Sequence, residues 1–248
     1  MNNDIYSVYG DFLSGKMLDV GRRFQDLSMP MIVDRTEYLR RRCMHKKCLH
    51  IGCLDHPEII PDRLKNGTWL HGILSDVSEY CVGIDVDFRA YDLVCNKLGF
   101  DNIELLDLSE SLDEKDISRL RKNNWDLILC PEIVEHITCH KQFFQNLRLL
   151  SDIETTLIIT GPNAFQFMNF VNALRGFEAV NSDHKYWFSF YTLCCMLAAN
   201  GWKPRQLIYY NGTLTWFRWK DILYQIFTRI SRVFCHGLII EATYLDCK

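Results

Sequence analysis

The sequence predicts an α/β protein built on one doubly wound, mostly parallel sheet of seven strands, and three observations carry that prediction. Short apolar runs recur along the chain, separated by segments of helical period, the pattern of strands joined by crossover helices. The first run, KCLHIGCLDH at residues 47–56, stops at Gly52 and breaks into a polar loop, and the second, YCVGID at 80–85, closes on Asp85. A glycine and then an acid at successive strand ends is the sequence form of a nucleoside site: the glycine admits close backbone approach, and the carboxylate accepts ribose hydroxyls. Finally, 248 residues with 48% hydrophobic and 24% charged side chains suffice for one substantial core.

The elements follow in order. Residues 1–46 mix charged and aromatic side chains without a sustained period and end in the basic cluster Arg40, Arg41, Arg42, Lys46 and Lys47. They are expected to be helical or irregular cover for the sheet and a lid, ahead of a main domain at 47–248. Pro57 and Pro61 keep the loop after the first strand from turning at once into a helix, and residues 68–77 then have helical spacing. Asp87 can cap a helix over 88–98, with Gly99 as its stop. Residues 102–106 form a third strand closed by Asp107, 113–123 a polar helix, and WDLILC at 125–130 a fully apolar fourth strand. A helix over 132–150, a fifth strand at 155–160 and the turn GPNAF come next. Ser189 caps a helix over 190–200 that stops at Gly201, and a sixth strand at 204–210 follows. Residues 216–234 are amphipathic and are expected to pack against the sheet through Ile226, Phe227, Ile230 and Val233 among others, before a last strand at 238–244. A doubly wound sheet binds ligands at the carboxyl ends of its strands, which here hold Gly52, Asp85, Asp107 and Pro131.

Composition narrows the function classes. A net charge of -3 gives no electrostatic footprint for a phosphate backbone, which disfavours nucleic acid as a partner. No run of eighteen apolar residues occurs, and MNNDIYSVYGDF has neither a basic n-region nor an apolar h-region. The expectation is a cytoplasmic protein, at most peripheral to the inner face of the membrane. The eleven cysteines are odd in number and several, Cys48, Cys81 and Cys130, lie inside apolar runs, the placement of buried reduced thiols. There is no CxxC pair to suggest thiolate-bound zinc. Leu54 and His56 stand where a Gly-rich loop would carry further glycines, so a pyrophosphate cradle, and with it a nicotinamide dehydrogenase, is disfavoured.

The ordered set of motifs resembles the class I S-adenosylmethionine-dependent methyltransferases over roughly residues 45–245. KCLHIGCLDH resembles their first motif, GID the second, LLD the third, WDLILCPEIVEH the fourth and TLIITGPN the fifth. Within that superfamily, GC..H, ITGPNAF and DHKYWFSFYTL look most like a branch encoded among bacterial surface-glycan biosynthesis genes. The resemblance implies the Rossmann-like fold of that superfamily, with its last strand antiparallel, and S-adenosylmethionine as cofactor. Carried over, Gly52 and Cys53 pass under the cofactor, Asp85 with Val86 holds the ribose, Asp107 with Leu108 meets the adenine, and Pro131 lies beside the methionine moiety. The family has an acid where this chain has His50, and glycines where it has Leu54 and His56.

Methyl transfer from a sulfonium needs the acceptor held in line and its proton removed. Two local groups suit that task. Glu132, Glu135 and His136 in EIVEH would share a face at helical spacing, and His184 follows the fifth strand in SDHKYWFS. His184 reads either as a general base or as a loop anchor bonded to backbone. EIVEH reads either as a helix N-terminus whose acids favour the dipole or, with His184, as the ligand set of a divalent cation, Mg²⁺, Mn²⁺ or Zn²⁺. The second arrangement resembles the metal sites of small-RNA 3′-end and ubiquinone-pathway methyltransferases. The leading expectation is therefore an enzyme that O-methylates a hydroxyl of a sugar or glycan intermediate. Another small-molecule acceptor and an RNA end are the alternatives within that class. The competing class is a catalytically degenerate scaffold for a glycosyltransferase partner, motivated by Leu54 and His56.

Overall fold

The computed structural model describes residues 4–17, 32–211 and 218–244. Its sheet contains β1 (Ile32–Val33), β2 (Lys47–Ile51), β3 (Tyr80–Asp85), β4 (Ile103–Leu105), β5 (Leu127–Pro131), β6 (Thr156–Pro162), β7 (Trp202–Tyr210) and β8 (Gly237–Tyr244), in the spatial order β1-β7-β8-β6-β5-β2-β3-β4. Only β8 is antiparallel to its neighbours, β6 and β7. The seven expected strands are all present. An eighth, β1, precedes residue 47 and pairs in parallel with the edge of β7, so the N-terminal segment contributes a strand to the sheet.

Among the described residues, ten α-helices connect and cover the strands: α1 (Ile5–Leu13), α2 (Arg35–Cys43), α3 (Ile60–Lys65), α4 (Leu70–Val77), α5 (Phe88–Tyr91), α6 (Glu114–Arg121), α7 (His140–Leu149), α8 (Phe167–Leu174), α9 (Phe190–Ala199) and α10 (Arg218–Ile230). Side-chain alternation along the strands divides the interior. Leu49, Ile51, Val82, Ile84, Ile128 and Ile159 pack with Phe143, Phe144, Leu193 and Leu197 of α7 and α9 on one face. Cys48, Cys81, Leu129 and Ile158 pack with Leu39 of α2 and Leu74 of α4 on the other. The described cysteines are all free, and Cys48, Cys81 and Cys130 are buried as expected.

Local capping rules hold where the expectation was local. Asp87 accepts hydrogen bonds from the Arg89 and Ala90 amides at 2.8 and 3.1 Å, and Ser189 with Thr192 forms a reciprocal capping box. The helix capped by Asp87 is α-helical over α5 and then widens to π-helical geometry over Asp92–Lys97 before Gly99.

Two expected helices differ. Residues 132–139 are turns, and the helix after β5 begins only at His140. Glu132 has a φ of 55°, outside the helical range, because its amide donates to the Thr160 carbonyl at 2.9 Å and draws the chain toward β6. Of the amphipathic segment expected at 216–234, residues 216 and 217 lie outside the described residues; Arg218–Ile230 is helical, and a short 3-10 turn, Arg232–Phe234, follows. Its Phe227 stacks on Phe167 of α8 with ring centroids 4.3 Å apart, whereas Ile226 and Ile230 face solvent. Val233, just beyond the helix, packs on Tyr209 of β7 and Leu238 of β8 as expected, while the expected sheet contacts of Trp219, Ile222 and Leu223 lie outside the described side chains.

The chain runs outward from β2 to β3 and β4, then crosses back to β5 and β6 on the other side of β2. That reversal leaves a crevice beyond the carboxyl ends of β2 and β5, where no crossover fills the space.

Candidate functional site

A cleft of about 670 Å³ occupies this crevice. Its lining brings together every residue the sequence singled out: Gly52, Cys53, Asp85, Val86, Asp107, Leu108, Pro131, Glu132, Glu135, His136 and His184.

One half of the cleft is made by the ends of β2, β3 and β4. Gly52 turns the chain with a φ of 70°, donates its amide to the Ile84 carbonyl at 2.8 Å, and sits so close to Ile133 that a Cβ would overlap that side chain. Both backbone conformation and space demand glycine there. Cys53 is buried, and its carbonyl accepts from the Trp69 indole at 3.1 Å. The Leu54 amide then donates to Asp85 Oδ2 at 2.8 Å, while the Val86 and Asp87 amides donate to Oδ1 at 2.7 and 3.0 Å. A carboxylate offers about four acceptor sites, so Oδ2 retains one for a ligand hydroxyl. Burial pushes the Asp85 carboxyl above its ordinary range, and the three amides pull it back. The Leu54 contact uses its backbone amide alone, so the loop closes with a leucine at that position. Asp107 accepts from the Ser109 amide and hydroxyl, each at 2.7 Å, and so shapes an exposed turn. Leu108 behind it is buried, with its carbonyl bonded to Asn146 Nδ2 at 2.9 Å.

Beneath this half lies a pair that the sequence did not reveal. His50 and His71 are both buried, with their Nδ1 atoms 3.2 Å apart and neither Nε2 atom partnered among the described residues. Burial holds His50 well below the usual imidazole range and His71 at about 4, so both rings are neutral and one Nδ1 donates to the other. Gly83 makes the room, since a Cβ there would stand 2.9 Å from His71 Cε1 and overlap Cys53 Sγ.

The other half is made of side chains from distant segments. Glu132 Oε1 accepts from Thr160 Oγ1 and Tyr210 Oη, each at 2.7 Å, and is paired with Arg35 of α2 at 3.2 Å. The Arg35 guanidinium also lies 5.6 Å from the centre of the Tyr210 ring. Glu135 is fully buried, with neither carboxyl oxygen hydrogen-bonded among the described residues, and burial together with the nearby Glu132 pushes it up to about 8. His136 Nδ1 lies 3.1 Å from Asp183 Oδ2 and its Nε2 3.9 Å from Glu135 Oε1. Burial, with His184 acting in the same sense, holds it below the usual imidazole range against the pull of Asp183. The His136 and His184 rings meet edge to face at 4.7 Å, and His184 Nδ1 is buried without a hydrogen-bond partner among the described residues. Lys185 clamps the two segments together by donating its amide to the Glu135 carbonyl at 2.8 Å and its ammonium to the His136 carbonyl at 2.6 Å.

One atom each from Glu135, His136 and His184 lies within 4.8 Å of the others, a spacing that can hold a metal ion. Glu132 stands outside that group. Arg35, Thr160, Asp183 and Tyr210 are the neighbours that sequence reasoning missed, and no local pattern marks them.

No family model and no curated protein matches the chain. Solved structures do. An S-adenosylmethionine-dependent methyltransferase from Archaeoglobus fulgidus superposes with a TM-score of 0.52 and 14% identity over 84% of this chain and 92% of its own. One from Aquifex aeolicus gives 0.51 and 15% over 86% and 90%. The magnesium protoporphyrin IX methyltransferase of Synechocystis, solved with bound S-adenosylhomocysteine, gives 0.51 and 14% over 84% and 80%. This chain has the class I methyltransferase fold. At such identities the likeness extends to the fold alone, and what the cleft does must be argued from its own residues.

Proposed function

We propose that this chain is an S-adenosylmethionine-dependent methyltransferase whose acceptor is a hydroxyl of a sugar or glycan intermediate. The observation that carries the reading is Asp85: a carboxylate fixed by three backbone amides at the end of β3, across from Gly52, with an acceptor site left on Oδ2. That is the arrangement a ribose needs at the switch point of a doubly wound sheet. When bound, S-adenosylmethionine supplies an electrophilic methyl group. Asp85 accepts from the ribose, Gly52 lets the backbone pass beneath the cofactor, and the turn at Asp107 borders the base.

The polar half of the cleft supports an acceptor rich in hydroxyls, and the resemblance to glycan-gene methyltransferases supports a sugar. His184, with its Nδ1 unpartnered, receives the acceptor proton as the new carbon–oxygen bond forms and the carbon–sulfur bond breaks. Glu135, His136 and His184 are also the residues that would hold a divalent cation, and the unpartnered oxygens of Glu135 fit one; such an ion would lower the pKa of an acceptor hydroxyl. The fourth ligand suggested by the sequence, Glu132, is committed through Oε1 to Thr160, Tyr210 and Arg35 and serves instead to shape the acceptor wall.

Calorimetric titration with S-adenosylhomocysteine tests the reading. Binding is expected, and Asp85→Ala is expected to weaken it by roughly 2 to 4 kcal/mol, the scale of hydrogen bonds to a charged group. Absence of binding by the wild-type protein sinks the enzyme reading. Binding without turnover on any sugar acceptor leaves the scaffold reading in place.

A further inference from the structure

We propose that α8 and the carboxyl-terminal half of α10 form a docking surface for an anionic lipid bilayer. The two helices meet where Phe167 stacks on Phe227, with Phe234 closing the contact edge to face at centroid distances of 6.2 and 6.0 Å. The apolar stripe does not stop at this seam. Phe170 and Leu174 lie three and seven residues beyond Phe167, and Ile230 three beyond Phe227, so helical geometry sets them along the same stripes. Yet Phe170 is 52%, Leu174 73%, Ile226 46% and Ile230 73% exposed. Single exposed hydrophobics are ordinary on a protein surface, whereas two neighbouring helices continuing a shared apolar stripe into solvent mark an interaction face.

Charge selects the occupant. The chain as a whole has 31 acidic against 28 basic residues, yet residues 164–177 and 222–236 contain no acid at all and carry Arg175, Arg229 and Arg232. Taken over residues 164–178 and 218–236, the two segments carry Arg175, Arg218, Lys220, Arg229 and Arg232 against two acids, Glu178 and Asp221, and apolar side chains on a helix pair with such a basic excess match the acyl boundary and phosphate layer of an anionic membrane surface. No described helix is long and apolar enough to cross a membrane, so the contact is interfacial. The face is also tied to the cleft: the segment that leaves α8 brings Asn181, Asp183 and His184 to the cleft wall. Docking would therefore present the acceptor side of the cleft to a lipid-borne substrate, a consequence that rests on the methyltransferase reading, whereas the docking itself does not.

Sedimentation of the full chain with vesicles at physiological salt tests the proposal, comparing phosphatidylcholine alone with phosphatidylcholine containing roughly 30 mol% phosphatidylglycerol. Binding to the anionic vesicles is expected to be at least about tenfold tighter. Leu174→Asp/Ile230→Asp is expected to lose at least about tenfold of that binding, and Arg175→Ala/Arg229→Ala to erase the preference for anionic lipid. Thermal melting and S-adenosylhomocysteine affinity should stay those of the wild type in both. No sedimentation with anionic vesicles, or sedimentation indifferent to both double variants, overturns the proposal. So does a dimer, seen by ultracentrifugation, that Leu174→Asp/Ile230→Asp dissolves, since the face would then belong to a second copy. Vesicle binding by a protein that ignores S-adenosylhomocysteine would uphold docking and reject the enzyme reading.

Discussion

On the side of the cleft made by β2, β3 and β4, the lining is Gly52, the Asp85 carboxylate fixed by three backbone amides, and the turn at Asp107; on the β5–β6 side it is the side chains of Arg35, Glu132, Glu135, His136 and His184, drawn from three separate parts of the chain. The first side is rigid because each element fixes the next. Gly52 is bonded to the Ile84 carbonyl, Leu54 to Asp85, and Asp85 to the amides that follow it. The second side holds buried groups in unequal states of satisfaction: Glu132 Oε1 takes two hydrogen bonds and an ion pair, whereas neither Glu135 oxygen takes a hydrogen bond among the described residues and its nearest charged group, His136 Nε2, stands 3.9 Å away. Backbone satisfaction suits a common ligand that many proteins bind alike. Buried, unsatisfied side chains suit chemistry and a particular acceptor.

The sharpest way to break this division is at His184. His184→Ala is expected to lower turnover by roughly 10²- to 10⁴-fold while leaving affinity for S-adenosylhomocysteine nearly unchanged. If it acts as a base alone, chelators do nothing; if it holds an ion with Glu135 and His136, then Glu135→Ala and His136→Ala share its phenotype, and added Mg²⁺, Mn²⁺ or Zn²⁺ restores chelated protein. Wild-type turnover in His184→Ala would return the residue to a structural role, alongside its amide bond to the Asn181 carbonyl.

A smaller effect is expected on the rigid side. Gly52→Ala forces an L side chain to a φ of 70° and drives a methyl into Ile133, which lines the cleft. Urea denaturation should show a loss of about 3 kcal/mol, combining backbone strain with the displaced side chain. S-adenosylhomocysteine binding should weaken in the same variant. A fully stable protein with unchanged binding would show that the cleft floor is pliable.

The smallest effect concerns pH. His71 is held at about 4 and His50 is lowered as well, so the unfolded chain takes up protons first as pH falls. Their contribution to stability is therefore present above about 6.5, the unfolded imidazole value, and is lost as pH falls through the folded value. The loss between pH 6.5 and 4 should be on the order of 2 kcal/mol, and His71→Leu should flatten that part of the stability curve relative to wild type. An unchanged slope in His71→Leu would mean that other groups set the acid limit.

What the sequence determined by itself is whatever depends on neighbours in the chain. The strand runs, the caps at Asp87 and Ser189, the turn at Gly52 and the acid at Asp85 are written in residues only a few positions apart, where backbone sterics and local hydrogen bonds decide the outcome. Tertiary structure alone decided the rest. EIVEH has the spacing of a helix face, but the Thr160 carbonyl takes the Glu132 amide and holds that residue at positive φ, so the helix begins eight residues later, at His140. The apolar residues of α10 have the period of a core helix, but α8 lies beside it and covers Phe227 while Ile226 and Ile230 remain in solvent. Arg35, His71 and Tyr210 reach their partners across separations of 97, 21 and 78 positions, and over such distances only the folded sheet, through the placement of its strands, determines which side chains meet.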